Sequence, residues 1–142
     1  AMISYIVPRQ LLQQHGLQNS DYQPLFARNP PNAILAAHLG EADAAGAGEQ
    51  LLRTPAIQQM IDTREMRVLA RGEPLAHLPW AVHARLGPDL RQQIQSLLLA
   101  LRQSIAGQAI LQQAGLTGLV TALDSDYAPH RAIVAEVMGE HY

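Results

Sequence analysis

Helical periodicity and short apolar runs alternate along the first half of the chain, and the second half is mainly helical in pattern. Ser4 stands where an N-cap belongs, Pro8 fits the early turn that follows, and residues 9–15 form a helix body that Gly16 closes. After the polar link 18–23, residues 24–27 (Pro-Leu-Phe-Ala) read as a short strand. Asn32 precedes a helix over 33–39 that ends at Gly40. Residues 42–47 are small and apolar, the pattern of a buried strand under a closely packed element. Thr54 and Pro55 then supply N-cap and first position for a helix through Ile61. Residues 66–70 predict a further strand, and 80–85 another after a proline-bounded connection. The strongest amphipathic helix spans 88–103, with Leu90, Ile94, Leu97, Leu98 and Leu101 on its apolar face. A helix over 105–114 stops at Gly115, and Asp124 or Asp126 caps a last helix to about Met138.

Strands alternating with helices predict an α/β fold, a short and mostly parallel sheet flanked by helices with a helical C-terminal segment. The expected division is an α/β ligand-binding lobe over 1–86 and a helical return segment over 87–142 packing on it as one unit. In such sheets ligands sit at strand C-termini and helix N-termini, which directs attention to the turns at 2–5, 29–32, 46–49 and 71–73.

Composition narrows the classes. With 142 residues, 48% hydrophobic and 15% charged, the chain has enough apolar material for one globular core. Its 10 basic side chains are all arginine, dispersed among 12 acids, so no basic stripe exists to track a nucleic-acid backbone. Aromatics at 4% also argue against base-stacking platforms. No cysteine is present, which excludes disulfides, thiol catalysis and thiolate metal sites. The longest apolar run, 97–101, is far below the roughly 20 residues needed to cross a bilayer. The first residues lack a signal peptide's charged and apolar regions, and Ala1 ahead of Met2 looks like a residue left by an expression tag.

The candidate chemistry is sparse. Six histidines form no HExxH and no compact pair; His15 and His38 precede helix-ending glycines, where an imidazole favours the negative end of the dipole. Residues 45–51 approximate a dinucleotide glycine turn, but Leu51 occupies the third glycine position. No strand ending in an acid follows at the required distance. Gly46 and Gly48 could still admit close backbone approach. Asp124 and Asp126 begin like a calcium loop without its turn glycine or distal glutamate, and read as helix caps. No G-x-S-x-G elbow occurs, so neither enzyme, cofactor nor metal is expected. Ser4-Tyr5 carries two readings: simple N-capping, or an anion site in which a hydroxyl and the free N–H groups of a helix start face an oxyanion.

The order of these features resembles a family. Ser4-Tyr5-Ile6-Val7-Pro8 with Leu11-Leu12 and Gly16-Leu17 is similar to the S-[TS]-S-G-Y-x-x-P…L…G-[IL] segment of the phosphate/phosphonate-binding periplasmic components of ABC transporters. Gly40-Glu41-Ala42-Asp43-Ala44-Ala45 resembles that family's G-x-[AV]-D-A strand. Leu69 to Pro74 and Leu78 to Val82 resemble its return between lobes, and the motifs at 86–90, 97–101, 107–111 and 124–127 its C-terminal helices.

The resemblance implies one lobe of a type II periplasmic-binding-protein-like fold, the second, from a two-lobed protein that closes on a small oxyanion without covalent chemistry. Ser4, Tyr5, Asn32 and Asp43 are then the expected ligand contacts. The family's hydroxyl cluster aligns with residues 1–4, retaining only Ser4, and Asn32 stands where the family often has histidine. A different oxyanion or an amide-bearing ligand is compatible with that change. Implied partners are an ABC transporter permease or signalling domains, with a homodimer through the apolar face of 88–103 also open, and the implied location is periplasmic or extracytoplasmic. The competing reading is an effector or dimerisation module of a signalling or transcriptional protein with a degenerate ligand site.

Overall fold

The computed structural model describes residues 2–142 and is helical throughout, with no β-ladder among the described residues. The aligned position at Ala1 lies outside that range. Six α-helices are α1 (Val7–Gln14), α2 (Pro30–His38), α3 (Pro55–Met60), α4 (Pro88–Ala100), α5 (Ile105–Gln113) and α6 (Ala128–Met138). A π-helical turn, Met2–Ile6, leads into α1, and short 3-10 turns punctuate the remainder.

Helix ends follow local chemistry. At α1, α2 and α5 the chain leaves through a glycine in the left-handed region, Gly16 (φ 85°), Gly40 (φ 74°) and Gly115 (φ 70°). In each, the next N–H reaches back to a carbonyl of the last turn: Leu17 to Leu12 at 3.0 Å, Glu41 to Ala36 at 2.9 Å, Leu116 to Leu111 at 2.8 Å. These paired closures satisfy carbonyls that the helix itself cannot. Helix α2 begins earlier than its apolar pattern predicts. Asn29 is the N-cap, its Oδ1 accepting from the Asn32 N–H at 2.8 Å, and Pro30 and Pro31 take the first turn, where a missing N–H costs nothing.

The expected parallel sheet is not formed. Residues 24–27, 42–47, 66–70 and 80–85 stay extended or bent and pair with no strand. Their composition explains it: Val68 and Val82 are the only β-branched residues in the four runs. A parallel strand also needs cover on both faces, whereas Phe26 is 71% and Leu69 65% exposed.

The chain divides into two compact units, residues 2–75 with 128–142, and residues 76–127. In the first, Ile34 of α2, Ile57 of α3 and Ile61 form the buried centre, with Leu51, Leu52 and Met66 packed around it. Burying each such side chain contributes about 2 kcal/mol. Helix α6 packs along α1 and the π-turn, burying Ile133 and Val137, and Gln10 donates to Glu136 at 2.6 Å.

In the second unit, α4 runs through a 3-10 turn into α5, whose N-cap Ser104 Oγ accepts from the Gly107 N–H at 3.0 Å. Gly107 and Leu111 are the buried residues of α5. A β-carbon on Gly107 would overlap the Leu101 carbonyl, so the turn between the helices closes only over glycine. Gly107→Ala is therefore expected to destabilise the 76–127 unit by roughly 1–3 kcal/mol. Chemical denaturation followed by amide NMR of that unit checks it, an unchanged midpoint being the contrary result.

Candidate ligand-binding site

Ser4 and Tyr5 lie inside the π-turn rather than at an N-cap: α1 begins after Ile6, which has helical backbone angles and makes no side-chain cap. Among the described residues the helical run opens with the π-turn Met2–Ile6 and continues directly into α1. Both side chains are half-buried.

Several distant segments of the first unit converge on this turn. Phe26 packs on Tyr5, ring centroids 5.4 Å apart and planes tilted by 47°. At Gly46 a β-carbon would lie 2.5 Å from the Pro8 side chain and 2.8 Å from the Ser4 carbonyl oxygen. At Gly72 it would lie 2.6 Å from the Val7 side chain. The stretches at 24–27 and 42–47, and the one following 66–70, thus surround the start of α1 instead of pairing with one another. Gly46, where the sequence suggests that the backbone can approach a ligand, is packed against the helix start.

A two-pronged ion pair joins the glycine-bearing stretches. Arg71 Nε donates to Glu49 Oε2 at 2.6 Å, and Arg71 Nη2 to Glu49 Oε1 at 3.0 Å. These hydrogen bonds, helped by the charges of Arg71 and Arg53, hold the Glu49 carboxyl below its ordinary value.

Tyr5 also touches Arg9. Arg9 Nη1 donates to the Tyr5 hydroxyl at 3.1 Å and the guanidinium lies 5.8 Å from the ring centre. Arg9 Nε donates to Asn19 Oδ1 at 3.1 Å, and Tyr22 donates to the same oxygen at 3.1 Å. The four-residue spacing of Tyr5 and Arg9 is a helical neighbour relation readable from sequence. Nothing local announces Phe26, Asn19 or the Glu49–Arg71 pair.

The other expected contacts sit elsewhere. Asn32 is exposed in the first turn of α2 with its N–H committed to Asn29, leaving its side-chain amide to act. Asp43 is exposed in the bend after α2. Among the described residues, no hydrogen bond or ring contact joins either to Ser4 or Tyr5. His15 Nδ1 lies 2.8 Å from the Leu11 carbonyl, and His38 Nδ1 3.5 Å from Glu65, both at helix C-terminal ends as their spacing foretold. A shallow concavity of about 550 Å³ is lined by His38, Gln58, Met60, Asp62 and Arg64, but its charges are already paired. Hydrogen bonds from Arg64 hold Asp62 below its ordinary value, leaving little positive potential for an anion.

A family model for the phosphonate periplasmic substrate-binding protein of ABC transporters matches residues 1–127, and the chain belongs to that family. No solved structure matches the chain. The family is one of solute-binding proteins, periplasmic and associated with ABC transport.

The ion pair makes a prediction with a definite sign. Because the folded Glu49 carboxyl is held low, the pair's stabilisation is present above the ordinary glutamate range and is lost as pH falls through the lowered folded value. Arg71→Gln should move the Glu49 carboxyl-carbon NMR titration up to the ordinary range and remove its part of the acid sensitivity. A midpoint that does not move would show that Arg71 does not govern it.

Proposed function

We propose that this chain recognises a small oxyanion, phosphate or phosphonate-like, at the start of its first helix, on behalf of an ABC transporter. The observation that carries the reading is the convergence on the start of the first helix: Tyr5 and Ser4, the residues expected to meet the ligand, are approached by Phe26 and Gly46, and Gly72 approaches Val7 beside them. In this reading the N-terminal end of the helical run offers backbone N–H groups and the positive end of the helix dipole, both suited to an anion. Ser4 adds a hydroxyl and Tyr5 a phenol. Asn32 and Asp43 are proposed as outer contacts that meet the ligand only on closure, Asn32 donating from its amide and Asp43 accepting from a protonated P–OH of the ligand.

Binding in this reading is non-covalent. Closure over the ligand is the signal presented to the transporter's permease, at an extracytoplasmic location. Family membership supports the transport role, and the electrostatics of a helix start support the ligand's charge.

The test is an amide NMR titration with phosphate, methylphosphonate and sulfate at fixed ionic strength. Saturable shifts at Ser4, Tyr5 and Asn32 are expected, and no shift with any of the anions would overturn the reading. Ser4→Ala should weaken the binding of methylphosphonate by about 1 kcal/mol or more. Unchanged affinity would remove Ser4 from the site.

A further inference from the structure

Arg9 was not among the expected ligand residues, yet its environment is unusual for a half-buried cation. Its hydrogen-bond partners are all neutral, the Tyr5 hydroxyl, Asn19 Oδ1 and, at 3.8 Å, the Met138 sulfur. Among the described residues no carboxylate pairs with it, whereas Arg64 and Arg71 each have one. Keeping a partly desolvated charge without a counter-ion is costly, and an anion arriving nearby relieves that cost.

The arrangement also dictates what Tyr5 does. Arginine has donors only, so in the Arg9–Tyr5 hydrogen bond the phenol oxygen must accept. The single Tyr5 proton is thereby free to donate, and among the described residues nothing takes it. The neighbouring positive charge polarises the O–H bond and makes it a better donor. Packing against Phe26 restrains the Tyr5 ring, and Asn19, itself held by Tyr22, restrains Arg9.

We infer that Arg9 is a positioning residue that, by donating to the Tyr5 oxygen, aims the Tyr5 O–H at the ligand as a donor and favours ligands whose facing oxygen carries negative charge. It acts through Tyr5 rather than by touching the ligand. This inference rests on the oxyanion reading above.

A double-mutant cycle with methylphosphonate tests it, affinities being read by amide NMR on the wild-type chain, Tyr5→Phe, Arg9→Gln and the double variant. Loss of one charge-assisted hydrogen bond predicts that Arg9→Gln weakens binding about tenfold, and Tyr5→Phe by about the same factor. The double variant is expected to bind no more weakly than Tyr5→Phe alone, since without the hydroxyl Arg9 has nothing to position. Arg9→Lys, which keeps a cationic donor, should recover part of the loss.

Wild-type affinity in Arg9→Gln, or losses that multiply in the double variant, would overturn the inference while leaving the oxyanion reading intact. Absence of binding by the wild-type chain would overturn that reading, and the inference with it. Should Arg9→Gln lose the dispersed amide spectrum, Arg9→Lys takes its corner of the cycle, where full affinity for methylphosphonate in the Tyr5→Phe background relative to Tyr5→Phe itself supports the inference and a further loss overturns it.

Discussion

Close approach of backbone to the first helical turn is the constraint on which the first unit depends. Gly46 and Gly72 come so near Pro8, the Ser4 carbonyl and Val7 that no β-carbon fits at either position. Side chains there would push the stretches off the helix start and separate the Glu49–Arg71 pair that ties them together. Absence of side chains therefore does what interdigitated apolar residues do in an ordinary interface: it permits contact at van der Waals distance.

That packing also decides the surroundings of Ser4 and Tyr5. Had residues 24–27, 42–47 and 66–70 formed a sheet, the helix start would sit at a sheet edge, the usual place for a ligand in such folds. Residues 24–27 and 42–47, with Gly72 beyond 66–70, instead pack on the helix start directly, and Phe26 reaches Tyr5. The site's electrostatics follow from the same packing: Arg9 adds positive charge beside Tyr5, and the Glu49 carboxylate is occupied by Arg71.

Helix positions were legible in the sequence to a few residues because their signals are local. Gly16, Gly40 and Gly115 end helices where a left-handed residue is needed, and Thr54-Pro55 begins one. The strand readings failed because short runs of alanine, leucine and glycine carry no pairing information of their own. Whether such a run joins a ladder depends on a neighbour that can bond to it, which is a property of the whole fold. Asn29 was passed over as a cap for a different reason: the apolar pattern of α2 starts after the two prolines, while the helix geometry starts with them.

By itself the sequence determined the positions of the helices and their glycine closures, and the family resemblance carried by Ser4-Tyr5-Ile6-Val7-Pro8 and Gly40 to Ala45, which the match over residues 1–127 bears out. These are matters of neighbouring residues and of ordered motifs along the chain. Only the tertiary structure decided that the extended runs gather at the start of α1 rather than pair, that Phe26 packs on Tyr5, and that Glu49 meets Arg71 across 22 positions. Such contacts depend on which surfaces close without steric conflict, and that is set by the three-dimensional fit of glycine to helix.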